Sequence, residues 1–297
     1  MNIIFFGSSK YSTIVQKALF EKFGLSLTVT IPDKPVGRKQ ILTPSPVKKL
    51  AIENSVPVLT FDKLDKKALE QFSNETMKQF NNGVDFLVVS DYGLILPKEL
   101  LDLPKFAPLN VHHSLLPKYR GPSPAPTAIL NGDKVSGVTI IKMTEKMDAG
   151  SILSQKEYTL VKDETTDSLL TKLNTLGAEL LLGVIENFDR IKPIPQNEQK
   201  TTYTKKITKK DGFIDLDNPP SPEILDRKIR AFYPWPTVWT KMKLKVARLA
   251  AKRESGELKI IKLLPEQMIQ VEGGKPMDIK DFINGYPEAK EKIEKLF

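Results

Sequence analysis

Short apolar runs alternate with longer segments of helical periodicity through the first two-thirds of the 297-residue chain, and this alternation restricts the fold more than any other feature. Strands separated by helices run parallel, because each helix returns the chain to the same edge of the sheet. Strands covered on both faces consist of almost uninterrupted apolar residues, as in Ile3-Ile-Phe-Phe6. The pattern predicts an α/β domain with a mostly parallel sheet.

Side-chain periodicity predicts seven strands and four helices in this region. The predicted strands are Ile3 to Phe6, Ser26 to Ile31, Val56 to Leu59, Phe86 to Ser90, Leu109 to His112, Thr139 to Met143 and Ile152 to Tyr158. The predicted helices are Lys10 to Phe23, Pro46 to Asn54, Lys63 to Phe80 and Thr166 to Phe188. The last of them opens with Thr165, Thr166 and Asp167, whose side chains suit helix capping.

An amide, an imidazole and a basic turn follow one another in Asn110-Val-His-His-Ser-Leu-Leu-Pro-Lys-Tyr-Arg-Gly-Pro122. Because side chains alternate along a strand, Asn110 and His112 should share one face. His112 and His113 are the only histidines of the chain, so any imidazole acting as acid or base near neutral pH lies here. Open parallel sheets bind ligands beyond the carboxyl ends of their strands, where this segment falls. A purely structural histidine is the alternative.

A carboxylate follows about forty residues later, in Met147-Asp-Ala-Gly150, after the alternating run Gly137-Val-Thr-Ile-Ile-Lys-Met143. Asp148 is a candidate partner for the imidazole of His112. Alternatively, it is a turn residue that hydrogen-bonds its own backbone.

Further motifs accompany these along the chain. They are Thr43-Pro-Ser-Pro-Val47, Tyr92-Gly-Leu-Ile-Leu-Pro97, Lys210-Asp-Gly-Phe-Ile-Asp215 and Arg230-Ala-Phe-Tyr-Pro-Trp-Pro236. In their order and spacing, the motifs resemble the formyltransferases that use 10-formyltetrahydrofolate. Within that superfamily, nearly the whole chain most resembles the methionyl-tRNA formyltransferases, which formylate the α-amine of methionyl initiator tRNA for translation initiation.

The resemblance implies a Rossmann-like formyltransferase domain, a 10-formyltetrahydrofolate co-substrate and tRNA as the partner. Its catalytic group falls on Asn110, His112 and Asp148. Its folate-contacting turn falls on Ser114, Leu115, Leu116 and Pro117. His113 departs from the family, which more often has a small residue or proline there. It is either a neutral structural neighbour or a residue that crowds the folate turn.

Three segments are predicted. Residues 1–190 form the catalytic domain, and residues 191–206 have the two prolines, polar bias and lack of periodicity typical of a linker. Residues 207–297 contain short strand-like pieces around Phe213 and at Val238 to Leu244, Lys245 to Ala251, Leu258 to Leu264 and Met268 to Val271. These pieces indicate a small β-barrel, and the resemblance implies an oligonucleotide-binding-like (OB-like) one.

Positive charge is concentrated in residues 205–262, which contain 15 Lys or Arg and 7 Asp or Glu, a net +8 of the chain's +9. Such a surface is typical of nucleic-acid binding, although a solvated basic surface is the alternative. Lys206, Lys209 and Lys210 are therefore predicted to contact tRNA. By the resemblance, Arg38 and Lys39 in the long connection 32–46 approach the acceptor end of the tRNA.

Formyl transfer to an amine develops negative charge on the formyl oxygen, and each well-placed donor contributes roughly 3 kcal/mol. Asn110 is the expected donor. A protonated His112 would donate to the same oxygen or pass a proton to the departing folate nitrogen, and Asp148 would raise the His112 pKa. The chemistry needs no metal, and adjacent histidines on opposite faces of a strand suit none. Gly7-Ser-Ser lacks the further glycines of a dinucleotide site.

The chain has no cysteine, which excludes disulfides and thiolate chemistry. It begins with a strand-like segment rather than a signal peptide, and no run approaches the roughly 20 apolar residues that span a bilayer. We expect a cytoplasmic monomer without a membrane partner.

Two rival functions remain, namely a sugar-nucleotide N-formyltransferase and a catalytically silent RNA-binding relative.

Overall fold

The computed structural model describes residues 1–37, 39–80, 83–245 and 256–296. Its contacts divide the chain into two compact units. The N-terminal unit consists of Met1–Pro124, Val135–Thr159 and Leu170–Thr204. The C-terminal unit consists of Ala125–Lys134, Leu160–Leu169 and Lys205–Phe297.

A seven-stranded sheet, in the order β5-β2-β1-β6-β7-β8-β9, forms the centre of the N-terminal unit. The first five strands in this order pair in parallel, and β8 and β9 add antiparallel to β7. The strands are β1 Ile3–Gly7, β2 Leu27–Thr30, β3 Lys34–Val36, β4 Ile41–Thr43, β5 Val58–Thr60, β6 Phe86–Ser90, β7 Ala107–His112, β8 Val135–Lys142 and β9 Ile152–Thr159. The predicted mostly parallel, Rossmann-like sheet is confirmed.

Helices precede or follow these strands, close to the predicted bounds. They are α1 Ser12–Phe23, α2 Pro46–Glu53, α3 Lys66–Gln79, α4 Lys98–Leu101, α5 Pro124–Leu130 and α6 Thr166–Glu186. The short helices α4 and α5 were not predicted, because four to seven residues show too little periodicity.

Apolar cores lie on both faces of the sheet, as the continuous apolar strands require. On β1, Ile3 and Phe5 pack on one face in the cluster that includes residues of α1, α2 and α6. Ile4 and Phe6 pack on the other face, with residues of α3 and α4. By length and composition alone, α6 could cross a membrane, yet its Leu181 and Ile185 are buried in the first cluster. In this fold α6 is a core helix.

The connection 32–46 contains a short antiparallel hairpin, in which β3 pairs with β4. Lys48 anchors its base through an ion pair of 2.7 Å between Nζ and Oδ1 of Asp33. Lys39 lies exposed at the turn, whereas the predicted tRNA contact Arg38 lies outside the described residues. Lys39 therefore lies at the turn between two short strands.

The C-terminal unit contains the antiparallel sheet β10-β11-β12-β13. Its elements are α7 Pro222–Ala231, β10 Val238–Lys245, β11 Gly256–Leu264, β12 Met268–Val271, β13 Pro276–Asp278, α8 Ile279–Gly285 and α9 Lys290–Glu294. A C-terminal antiparallel sheet domain is thus confirmed. The strand predicted at Lys245 to Ala251 lies outside the described residues, except for Lys245 at the end of β10. Phe213 forms an isolated bridge with Trp239 rather than part of a longer strand.

The segment predicted as a linker packs along the N-terminal unit through most of its length. Ile194 exchanges two backbone hydrogen bonds with Ile152, each 2.8 Å. Arg120 donates its backbone N–H to the carbonyl of Thr202, and Thr204 donates to the carbonyl of Arg120, both at 2.8 Å. These pairings are isolated bridges and most side chains of the segment are exposed, which explains its polar composition and its lack of an apolar period.

Candidate active site

A cavity of about 430 Å³ opens at the carboxyl ends of β6 and β7. This is the edge at which open parallel sheets bind ligands, and the volume suits a small-molecule site. One part of its wall is apolar and includes Leu94, Ile95, Leu96, Ile141, Met143 and Met147. The side chains with polar or titratable groups are Asp91, Tyr92, Asn110, His112, His113, Thr144, Glu145 and Asp148.

The structure brings Asn110, His112 and Asp148 together at this cavity. Asn110 and His112 are two residues apart on β7, and Asp148 follows β8, the strand paired with β7. Asn110 Nδ2 donates to Asp148 Oδ1 at 3.4 Å, and His112 Nδ1 lies 3.7 Å from the same oxygen. The predicted convergence of amide, imidazole and carboxylate is therefore found in the fold.

His112 is buried, and its two ring nitrogens have different partners. Nε2 lies 3.0 Å from the carbonyl oxygen of Tyr119, which can only accept, so Nε2 carries a proton. In the neutral ring, Nδ1 then presents its lone pair toward Asp148. Burial lowers the His112 pKa below its ordinary value, and the carboxylate of Asp148 only partly offsets this. Asp148 raises the His112 pKa as predicted, but desolvation, which the sequence cannot show, lowers it by more.

Asp148 is held by hydrogen bonds to both its side chain and its backbone. Gly121 donates its N–H to Oδ2 at 2.7 Å. The backbone of Asp148 has φ of 50°, a left-handed conformation that Asp tolerates better than most residues. Gln196 donates Nε2 to the carbonyls of Asp148 and Gly150, at 2.8 and 2.7 Å.

Arg120 is 0% exposed and binds the segment that carries Gln196. Its guanidinium donates to Gln196 Oε1 at 3.0 and 2.8 Å and to the two oxygens of Glu198 at 3.1 and 2.8 Å. These hydrogen bonds lower the pKa of Glu198. Arg120 thus bonds a protein carboxylate, and neither Gln196 nor Glu198 was singled out by the sequence analysis. Their separation of more than 70 residues from Arg120 leaves no local signal.

The four residues predicted to contact folate, Ser114, Leu115, Leu116 and Pro117, are not among the described residues that line the cavity. Ser114 Oγ closes the turn by donating to the carbonyl of Lys118 at 2.6 Å. Leu116 donates its N–H to Thr139 Oγ1 at 3.2 Å, and Leu115 packs against Gly137 of β8. Leu115 is half-buried and Leu116 is buried, so the protein itself largely covers both side chains.

The loop 91–96 supplies part of the apolar wall of the cavity. It follows β6, and β6 lies beside β7 in the sheet. Its sequence was noted only as part of the family resemblance. Its position after a buried strand was the signal that would have identified it.

The predicted tRNA contacts within the described residues are exposed. They are Lys39, Lys206, Lys209 and Lys210. Lys209 Nζ lies 5.6 Å from the centroid of the Trp239 ring, and Trp239 Nε1 donates to the carbonyl of Lys209 at 2.8 Å. The ring therefore orders this lysine at the surface.

In the described part of the chain, no group of three or more His, Asp or Glu side chains is placed to hold a metal ion. Each histidine instead faces a single carboxylate, His112 that of Asp148 and His113 that of Asp91.

Comparison with known families gives matches over both parts of the chain. The formyl transferase family matches residues 1–185, and the formyl transferase C-terminal domain matches residues 206–267. A methionyl-tRNA formyltransferase from Caldicellulosiruptor saccharolyticus is 38% identical, over 96% of this chain and 97% of its own. One from Campylobacter lari is 40% identical, over 96% of both chains.

Solved structures share the fold at lower identity. A sugar N-formyltransferase from a Shewanella species has a TM-score of 0.61 at 19% identity, covering 90% of this chain and 98% of its own. A methionyl-tRNA formyltransferase from Clostridium thermocellum has a TM-score of 0.57 at 18% identity, covering 88% of this chain and 99% of its own. At this identity the similarity establishes the fold alone.

Proposed function

We propose, since the chain belongs to the methionyl-tRNA formyltransferase family, that it transfers the formyl group of 10-formyltetrahydrofolate to the α-amine of methionyl initiator tRNA. The observation that carries the proposal is identity of 38 to 40% over 96% of the chain with relatives of that name. The convergence of Asn110, His112 and Asp148 at one cavity supports a catalytic role for these three residues.

The cavity suits the formyl donor. The pterin of the donor has a planar pyrimidine ring whose faces can pack on apolar side chains and whose edge carries hydrogen-bonding groups, and Leu94, Ile95 and Leu96 offer it an apolar wall. We assign the folate contacts to this loop and its neighbours rather than to the turn at 114–117. The reacting formyl group would then lie near the polar residues of the same cavity.

Asn110 is the proposed donor to the formyl oxygen. When the amine attacks the formyl carbon, this oxygen becomes negative, and a preorganised amide N–H stabilises it. Asn110 is pre-oriented, because its Nδ2 already bonds Asp148 Oδ1 at 3.4 Å. Attack is direct, so no side-chain nucleophile takes part.

His112 and Asp148 are proposed to carry a proton to the departing folate nitrogen. Burial lowers the His112 pKa, which favours the neutral imidazole with its Nδ1 lone pair available. When the attacking nitrogen becomes positive, that lone pair can accept a proton, and Asp148 stabilises the imidazolium 3.7 Å away. The imidazolium then protonates the leaving nitrogen as the bond to the formyl carbon breaks.

The exposed lysines of the C-terminal unit are proposed to bind the tRNA backbone, together with Lys39 and Arg38 of the early connection. This surface argues against a sugar-nucleotide acceptor, which has few phosphates to neutralise. The structural similarity to a sugar N-formyltransferase extends to the fold only. A silent RNA-binding protein would have no use for the Asn110, His112 and Asp148 arrangement.

The remaining assignments are proposals of the same kind. We divide the chain into a catalytic domain at 1–190, a connecting segment at 191–206 and a tRNA-binding, OB-like domain at 207–297. We propose that the protein is a cytoplasmic monomer that needs no metal and no membrane.

The test of the function is an acceptor competition. The purified protein is given 10-formyltetrahydrofolate with either methionyl initiator tRNA or a nucleotide-linked amino sugar. We expect formylmethionyl-tRNA and no formylated sugar. Formylation of the sugar alone would replace the proposed function, and retention of tRNA without formylation of either acceptor would support the silent relative.

Affinity for tRNA should fall steeply with salt, and changing Lys206, Lys209 and Lys210 together to Ala should flatten that dependence. Each phosphate contact contributes about 0.7 to 0.9 to the slope of log affinity against log salt, so the slope should fall by about 2 to 3. The KM for tRNA should rise, with little change in kcat at saturation. Binding titrations at several salt concentrations measure the slope.

A matched control changes Lys63, Lys66 and Lys67 to Ala, three exposed lysines of the N-terminal unit. It removes the same charge and should leave the slope nearly as in the parent. Equal flattening by both triple variants would mean that net charge, rather than this surface, governs binding.

Changing Gln196 to Ala should lower kcat by about 10- to 100-fold, because the Asp148 loop loses the side chain that holds its carbonyls. Arg120 also loses an acceptor, and we expect the free energy of unfolding to fall by about 2 to 3 kcal/mol. Steady-state kinetics and urea unfolding measure both effects. Gln199→Ala, an exposed change in the same segment, is the control and should have the parent's kcat. Parental kcat in Gln196→Ala would remove Gln196 from the site.

A further inference from the structure

A second histidine and carboxylate pair lines the same cavity. His113 is 4% exposed, and its Nδ1 lies 3.5 Å from Asp91 Oδ1. Among the described residues, no atom forms a hydrogen bond with its Nε2, although that nitrogen is buried. A buried polar atom without a partner destabilises the folded state, and such atoms in native proteins call for an explanation. A ligand that supplies the missing partner is such an explanation.

Asp91 is fixed independently of the histidine. Ser9 Oγ donates to Asp91 Oδ2 at 2.9 Å, and Ser8 Oγ donates to the Asp91 carbonyl at 2.7 Å. Both serines lie in the loop after β1, the Gly7-Ser-Ser segment that lacks a dinucleotide fingerprint. The loop thus orients a carboxylate at the cavity.

The pairing determines which nitrogen of His113 can accept. A proton on Nδ1 faces the carboxylate of Asp91, which leaves the lone pair on Nε2. His112 has the opposite arrangement, because its Nε2 donates to the Tyr119 carbonyl. The two consecutive imidazoles therefore offer two basic nitrogens, each beside a different carboxylate.

The proposed reaction requires two proton removals from one nitrogen. The acceptor amine enters as an ammonium and ends as an amide N–H, so it loses two protons. One proton ends on the folate nitrogen that leaves, and the other goes to solvent. The His112 and Asp148 pair can carry the proton that ends on the folate nitrogen, which leaves the proton released to solvent without a carrier among the residues already assigned.

We propose that His113, positioned by Asp91, is the base that removes the first proton from the acceptor ammonium. The N–H bond of the ammonium breaks and its proton moves to Nε2, which leaves the nitrogen lone pair free to attack the formyl carbon. The imidazolium formed stays beside Asp91 and later releases its proton to solvent. A carboxylate beside a neutral imidazole attracts a cation that has N–H donors, as this substrate does. The inference rests on the proposed function.

Several charged and titratable groups line the cavity around His113. Asp91 is its partner, His112 is its neighbour, and Asp148 and Glu145 line the same cavity. Removing His113 therefore also changes the charge near His112. For that reason the pH profile alone would not isolate it.

The first experiment uses the scarcity of histidine. Nitrogen NMR of protein labelled with ¹⁵N-histidine shows two imidazoles, and His113→Asn assigns them. In the substrate-free protein at neutral pH, we expect His113 to carry its proton on Nδ1 and none on Nε2. We expect His112 to carry its proton on Nε2 and none on Nδ1. A His113 ring that carries its proton on Nε2 would overturn the proposal, whether or not the protein is active.

The second experiment measures kinetics with formyl donor and methionyl-tRNA. His113→Ala should lower kcat by about 10²- to 10⁴-fold with little change in either KM, and added imidazole should restore part of the loss. Asp91→Asn should lose less, and the double variant should lose no more than His113→Ala, since the carboxylate acts through the imidazole. A merely structural histidine would not give rescue by imidazole.

The parent protein separates the two proposals. If the parent formylates methionyl-tRNA and His113→Ala retains its kcat, or loses kcat without rescue by imidazole, the assignment of His113 is wrong while the function stands. If the parent does not formylate the tRNA, the proposed function fails, and His113 fails with it as the base of this reaction.

Discussion

Asp148→Asn should lower kcat by about 10²- to 10⁴-fold and leave the KM of both substrates nearly unchanged. The replacement has the same shape, and its oxygen can still accept the Gly121 N–H that now bonds Oδ2 at 2.7 Å. It removes the charge that stabilises a protonated His112 at 3.7 Å. The His112 pKa, already lowered by burial, should fall further. The loss should therefore appear in the transition state rather than in binding.

Steady-state and single-turnover kinetics measure this loss, and ¹⁵N NMR follows the titration of His112. Asp189→Asn is the control, because Asp189 is exposed and lies in a short turn at 188–190. It should keep the parent's kcat. If Asp148→Asn also kept it, Asp148 would have no part in the proton transfer.

Gly150→Ala should destabilise the protein by about 3 kcal/mol or more, since overpacking against backbone cannot be relieved by a rotamer change. A Cβ on Gly150 would lie 1.8 Å from the carbonyl oxygen of Lys142 at the end of β8. The backbone bond from Lys142 N–H to the Ser151 carbonyl, 3.0 Å, joins the same two segments. Separating them would also move Asp148, so activity should fall with stability.

Urea unfolding of the parent and the variant measures the change. Gly183→Ala is the control, because Gly183 lies within α6 and its Cβ would meet no described atom within 4 Å. There the change should stabilise the protein by about 1 kcal/mol, the difference in helix propensity. A Gly150→Ala variant as stable as the parent would mean that β8 and the Asp148 loop can separate at no cost.

Much of the fold follows from local sequence. β1 and β6 are read from uninterrupted apolar runs, and α1 and α6 from helical spacing, because both periods result from backbone geometry within a few residues. The same geometry placed Asn110 and His112 on one face. The approach of Asp148 was a hypothesis from its motif, and the described distances agree with it.

The finer chemistry depended on neighbours that are distant in sequence. Gln196 bonds a loop 46 to 48 residues before it, and no periodicity relates it to Arg120 or Asp148. The 114–117 turn packs against β8, and the loop after β6 lines the cavity instead. For this reason we assign the proposed folate contacts to that loop. The pairing of His113 with Asp91 likewise arises from two loops that meet only in the fold.

The pKa of His112 shows most directly which properties depend on the sequence alone and which depend on the tertiary structure. The sequence alone determined that an imidazole and a carboxylate stand in motifs that belong together, since residue identity and strand period are local properties. Only the tertiary structure decided the direction of the pKa shift, because desolvation depends on every group packed around the ring and here exceeds the attraction of a carboxylate 3.7 Å away.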